Sequence, residues 1–220
     1  MQITAEVWQV GGGSLTALED AAIYLISFDT QAALIDAGTG KAHDRLVMNI
    51  ESCGVSTSQI EYLFLTHSHY DHTGGARRAQ QEFGCEIVAH ELDAVYLEKG
   101  DSEVTGARWY GAEMQPFTVD RKITEKEESF SLGARTLQSI HTPGHSPGSV
   151  VYLVESEGTR ILFGQDVHGP LDPSLLSNRE DYLNSLGLLL TLDIDVLCEG
   201  HFGIFRGHRE IHEYIQSFLC

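Results

Sequence analysis

Within six consecutive positions, His67, His69, Asp71 and His72 place three imidazoles and one carboxylate. Side chains of these two types, set that closely, can surround a cation. Imidazole with carboxylate suits Zn²⁺, Fe or Mn²⁺, whereas Cu(I) prefers thiolate. The segment Thr66-His67-Ser68-His69-Tyr70-Asp71-His72-Thr73-Gly74-Gly75 follows an apolar run and precedes a helical pattern, so it reads as a strand-to-helix loop held at both ends. Three more candidates occupy the same kind of place, each near a Gly and beside an apolar strand. His145 lies in His141-Thr142-Pro143-Gly144-His145-Ser146-Pro147-Gly148-Ser149, which enters the strand 149–155. Asp166 follows the strand 159–163 through Gly164-Gln165, and His201 follows 196–198 through Glu199-Gly200.

The elements that must position these residues alternate between strand and helix. Strands are expected over 6–10, 22–28 and 32–36, with a turn at Gly11-Gly12-Gly13 and a hairpin across Asp29-Thr30. Leu46, Val47 and Ile50 recur at helical spacing in 42–52. The run 60–66 (IEYLFLT) is nearly continuous in apolar residues and suits a strand buried on both faces. A helix should run from near Thr73 to Gly84, followed by a strand over 86–89. Residues 91–120, with Trp109 and Tyr110 before Pro116, read as a helical or irregular insertion. Strands then return at 122–124, 128–131, 135–140, 149–155 and 159–163, with a helix over 180–191, a strand at 196–198 and a closing helix over 208–218. Two similar halves of this kind, without a Pro/Gly/Ser-rich linker, predict one domain over 1–220, a sheet packed on a sheet with helices outside.

Composition narrows the partners. The chain has 220 residues and a formal charge of −18. That field repels phosphate backbones, so neither nucleic acid nor an anionic membrane is expected as a partner. The opening MQITAEVWQV has no basic or apolar stretch of the signal-peptide kind, and no apolar run reaches the roughly 18 residues of a membrane span, so a cytoplasmic protein is expected. Cys53, Cys85, Cys198 and Cys220 are far apart and show no metal or redox spacing, and they read as packing thiols. Of the remaining histidines, His43, His90, His208 and His212 are expected in solvent, and His141 is expected to brace the turn before His145.

In this order, H-x-H-x-D-H, TPGH, a later Asp after an apolar strand and a late GH resemble the metallo-β-lactamase fold superfamily, from Gly11 to His201. The resemblance implies an α/β four-layer αββα sandwich. It implies a first metal held by His67, His69 and His145, a second by Asp71, His72 and His201, and Asp166 bridging the two. Asp36, in Leu34-Ile35-Asp36-Ala37-Gly38, matches the family's buried aspartate that supports the ligand loop. Two divalent ions, zinc above all and iron or manganese otherwise, would stabilise a bridging hydroxide near neutral pH, and Asp71 could take or return a proton.

Departures from family patterns narrow the reaction. Asp166 stands where the main class B β-lactamases have Cys, and Gly169 stands where quorum-quenching lactonases commonly have Tyr. With the sequence running only a short way past His201, the basic helical domain of longer glyoxalase II enzymes is not expected. What these leave is a short glyoxalase II-like hydrolase of a small-molecule thioester, ester or lactone, with a homodimer allowed. The rival readings are a mono-iron sulfur (persulfide) dioxygenase-like oxidoreductase and a non-catalytic metal-binding module. Tyr70, His168 and Phe202 are expected to line the substrate pocket, with Trp109 and Tyr110 capping it.

Overall fold

Along the strands, apolar residues alternate between two different cores, and this alternation builds the layers. The computed structural model describes residues 1–219, the side chain of Gln165 excepted; Cys220 lies outside the described residues. The first sheet has six strands in sequence order: β1 (Val7–Gly11), β2 (Ile23–Phe28), β3 (Gln31–Ile35), β4 (Ile60–Phe64), β5 (Glu86–His90) and β6 (Arg121–Ile123). Strands β3 to β6 run parallel. They are joined by the crossover helices α1 (His43–Ser52), α2 (Tyr70–Thr73) with α3 (Ala76–Phe83), and α4 (Glu91–Lys99).

The second sheet has the order β12-β11-β10-β9-β8-β7, from β7 (Glu127–Leu132), β8 (Arg135–His141), β9 (Val150–Ser156), β10 (Thr159–Gln165), β11 (Val196–Glu199) and β12 (Ile204–Arg206). Helices α5 (Arg179–Leu189) and α6 (His208–Gln216) cover its outer face. The edge strands are therefore β1 and β6 in one sheet, β7 and β12 in the other.

Leu25, Leu34, Leu63 and Ile87 face α1, α3 and α4, while their neighbours Ile26, Ile35, Phe64 and Val88 face the second sheet. Across that middle layer stand Phe130, Tyr152, Val154 and Phe163; Val151, Leu153 and Leu162 turn outward against Leu186, Ile211 and Ile215. Three apolar layers separate four layers of structure, the αββα sandwich implied by the sequence. Strand β9 is buried on both faces except at Glu155, which accounts for its continuous apolar run. Helix α5 begins at Asn178, whose side chain accepts from the backbone N–H groups of Glu180 and Asp181.

Several boundaries differ from the sequence reading. The expected 73–84 helix starts earlier, as the single turn α2, and breaks at Gly74-Gly75 before α3. The break lets two loops meet: a Cβ on Gly75 would lie 2.3 Å from the Ala37 carbonyl oxygen. Strand β12 was not anticipated; three residues carry too little pattern to register. The insertion contains α4 and a 3₁₀ turn, Ala107–Tyr110.

Two histidines expected in solvent are buried. His43 is 2% exposed; its ring stacks on Phe83 at 5.4 Å and its Nε2 lies 2.9 Å from Glu82. His90 caps α4, where its Nδ1 accepts from the Leu92 N–H, and it stacks on His141 at 3.9 Å. His208 is exposed and His212 half-buried. His141 donates from Nε2 to the Pro147 carbonyl at 2.9 Å, which braces the turn carrying His145. Cys85 and Cys198 are buried free thiols; burial pushes Cys85 up to about 11, which fits a packing role. Among the described residues no helix is long and apolar enough to cross a membrane.

Candidate metal centre

The donors gather where loops from both sheets meet. His67 and His69 leave the end of β4, Asp71 and His72 lie in α2, His145 precedes β9, Asp166 follows β10 and His201 follows β11. The ring centroids of His67, His69 and His145 lie 4.4 to 4.7 Å apart. One nitrogen from each of these three falls within 4.8 Å of the others, as do donor atoms of His67, His72 and Asp166, and of Asp71, His72 and His201. Asp166 is shared between them: its Oδ1 is 3.1 Å from His72 Nε2, and its Oδ2 is 3.4 Å from both His145 Nε2 and His201 Nε2. His201 Nε2 also lies 3.1 Å from Asp71 Oδ2.

The chain fixes which nitrogen each ring presents. Asp36 Oδ2 accepts from His72 Nδ1 at 2.7 Å, and the Pro170 carbonyl accepts from His145 Nδ1 at 3.0 Å. With the proton on Nδ1, the lone pair sits on Nε2 and faces inward. The Nε2 atoms of His67, His69, His72 and His145, together with Asp166 Oδ1, are buried without a hydrogen-bond partner. Five orphaned polar atoms at one point are a costly arrangement unless something binds there.

Charge points the same way. Burial, then the neighbouring imidazoles, hold His67 and His69 well below the usual histidine range, as neutral ligands require. Burial alone would also lower His72, but the carboxylates of Asp166, Asp36 and Asp71 outweigh it and raise that ring well above its ordinary value. Burial pushes Asp166 up, yet His72, His145 and His201 hold it well below the carboxylate range. The centre therefore calls for positive charge, and the residues present fit divalent cations.

Three buried carboxylates hold the frame. Asp36 accepts from the Thr66 N–H at 2.9 Å and the Thr66 hydroxyl at 2.8 Å, besides His72. Asp93 and Glu199, neither of them a candidate from the sequence, do the same elsewhere. Asp93 accepts from Ser68 N, Ser146 Oγ and Gly148 N, each at 2.7 Å, and so ties the His67–His69 loop to the His145 turn. Glu199 accepts from His201 N, Phe202 N and His168 Nδ1 at 2.7 to 2.8 Å. Burial raises Glu199, but the His168 hydrogen bond leads a set of contacts that holds it below its ordinary value. Gly200 is required by space: a Cβ there would stand 2.3 Å from Asp166 Oδ1.

Removal of Asp93 orphans three donors in the interior. Asp93→Ala is expected to lose about 3–5 kcal/mol of stability. A denaturant midpoint equal to that of the parent would show that the two loops hold together without it.

A cavity of about 280 Å³ opens beside the donors, and its wall includes Thr105, Gly106, Trp109, Tyr110, His168, Pro170 and Leu175. His168 is on this wall. Tyr70 is not among the lining residues; its ring packs beside that of Tyr110 at 5.7 Å, against the core under the first sheet. Phe202 is 63% exposed and sits outside the lining, with its ring 4.7 Å from that of His168.

Known proteins resemble this chain in sequence and in fold. The chain is 32% identical to a probable metallo-hydrolase of Methanocaldococcus jannaschii over 84% of its own length and 89% of the relative's. It is 30% identical to hydroxyacylglutathione hydrolase GloC of Haemophilus influenzae, covering 70% and 68%. It is also 30% identical to an acyl-coenzyme A thioesterase of Gallus gallus, covering 66% and 57%. A subclass B3 metallo-beta-lactamase of Bradyrhizobium japonicum superposes with a TM-score of 0.81 at 24% identity, over 99% of this chain and 89% of that one. The family model described as the metallo-beta-lactamase superfamily matches residues 18–201. This chain belongs to the metallo-beta-lactamase superfamily.

Proposed function

We propose that the protein is a two-metal hydrolase of a small-molecule thioester, ester or lactone. The observation that carries this reading is the clustering of four unpartnered histidine Nε2 atoms beside Asp166, whose Oδ1 reaches His72 and whose Oδ2 reaches His145. His67, His69 and His145 would hold one cation, Asp71, His72 and His201 a second, with Asp166 between them. Zinc fits this donor set best, and iron or manganese share it. Divalent cations so held supply Lewis acidity and bring the pKa of water towards neutrality. The relatives named hydroxyacylglutathione hydrolase and acyl-coenzyme A thioesterase support acyl transfer to water.

The chain's own groups then orient and shuttle. Asp71, on the cavity wall, has a carboxyl that burial raises but His72 and His201 hold below its ordinary range; it would take up a proton only while its hold on the second cation is loose. His168 is fixed by its hydrogen bond to Glu199 and presents its ring to the bound substrate. Trp109, Tyr110 and Leu175 would lie against the acyl side of the substrate.

Protein freed of metal by chelation and reloaded with zinc is expected to bind two equivalents and to hydrolyse a small ester or thioester under anaerobic conditions. Zinc has no redox chemistry and cannot activate oxygen. Oxygen consumption with a persulfide, confined to an iron form holding one metal, would establish the dioxygenase reading instead. Failure of every metal form to turn over any acyl substrate would leave a binding module.

A further inference from the structure

Much of the cavity wall is apolar, and its one phenol, Tyr110, turns its hydroxyl to Asp71. Trp109 and Tyr110 come from the 3₁₀ turn after α4, and Pro170 and Leu175 from the segment after β10. The two segments close on each other: a Cβ on Gly106 would lie 3.3 Å from Leu175 Cδ2. Among the described residues lining this cavity there is no Lys or Arg. The cation next to the wall in sequence, Arg108, pairs with Glu103 at 3.4 Å, and Lys41 pairs with Glu19 at 2.9 Å. The chain as a whole carries a formal charge of −18.

We infer that the substrate is an uncharged acyl compound, with an apolar acyl group and a neutral leaving group, and that thioesters of coenzyme A and glutathione are discriminated against by charge. The inference rests on the hydrolase reading above. At about 280 Å³ the cavity lies at the lower end of ligand pockets, which run to roughly 300–1,000 Å³, so it accepts the acyl group and not a long leaving group. An anionic leaving group would then approach a chain of net negative charge without a counter-cation from the wall, which slows encounter and weakens binding. An acyl chain against Trp109 and Leu175 gains about fourfold in affinity for each methylene buried. The reaction is ordinary hydrolysis: water oxygen bonds to the acyl carbon, the carbon–sulfur or carbon–oxygen bond breaks, and the departing thiolate or alkoxide takes up a proton.

The test compares one short acyl group on three thiols, N-acetylcysteamine, glutathione and coenzyme A, together with a neutral aryl ester and a lactone, using the zinc-loaded full chain. The neutral thioester is expected to exceed both anionic ones by about tenfold or more in kcat/KM, with the difference in KM. The gap should shrink with added salt, because the screening length falls from about 30 Å at 0.01 M to about 10 Å at 0.1 M. Trp109→Arg, at a position 56% exposed, is expected to narrow the gap several-fold by supplying a cation at the wall. Turnover of the aryl ester or lactone alone also supports the inference. Equal or faster turnover of the coenzyme A or glutathione thioester by the parent protein overturns it while leaving the hydrolase reading standing. Turnover of none of the five defeats the hydrolase reading, and the inference with it.

Discussion

Asp166→Ala is expected to lower kcat by at least about a thousandfold, the scale of removing a group that organises charge at the reacting centre. The same variant should lose at least one metal equivalent. Its carboxylate is the group that touches His72, His145 and His201 at once, so no neighbour can substitute for it. The fold should survive, because β10 is held on both sides, by β9 antiparallel and by β11 parallel. Circular dichroism and metal analysis on the same sample check all three expectations. Full metal content with near-normal turnover would show that Asp166 does not link the two groups of donors.

Asp36→Ala is expected to have the second-largest effect, about 10–100-fold in metal affinity or activity, the usual consequence of removing the group that orients a metal-ligating histidine. It also strips the partner from two buried Thr66 donors. Backbone and side chain must be separated here, since Asp36 has a φ of 62°, a conformation that Asn and Asp tolerate better than Ala. Asp36→Asn keeps the backbone preference while exchanging one carboxylate oxygen for an amide donor. If Asn restores stability but not metal affinity, the hydrogen bond to His72 Nδ1 is what matters. Equal metal affinity in Ala, Asn and parent would remove Asp36 from the support of the centre.

The candidate donors were legible because they are local and unusual. Three histidines and an aspartate in six positions stand out against an ordinary composition, and His145, Asp166 and His201 each follow or precede a readable apolar strand. Glu199 and Asp93 were not legible for the opposite reason. In a chain with 32 acidic residues, a buried carboxylate looks like a solvated one. The signal for Glu199 was its place directly after Val196-Leu197-Cys198, at the end of a strand buried throughout. Asp93 gave less, since it sits in the first turn of α4, where acidic residues are common for their own reasons. His43 and His90 read as exposed because the sequence does not show which face of a helix or strand end the neighbouring chain covers. Tyr70 shows the limit of adjacency: lying between two candidate donors in sequence says nothing about the side of α2 on which a ring emerges.

The borders of the two sheets bear on how copies of this protein meet. An unpaired strand invites another chain to continue its ladder, the route to strand addition and aggregation. Here β6 and β12 offer only three residues each. The free side of β1 is covered by its own N-terminus, where Gln2 bridges Trp8 and the Met1 ammonium donates to the Gln9 carbonyl at 2.6 Å. Strand β7 is the long free border, and it carries Glu127 and Glu128 beside exposed serines. Two copies brought together along it would set carboxylate against carboxylate, on chains that already repel each other at −18 apiece. Continuation of the ladder from one copy to the next along this border is therefore opposed by charge.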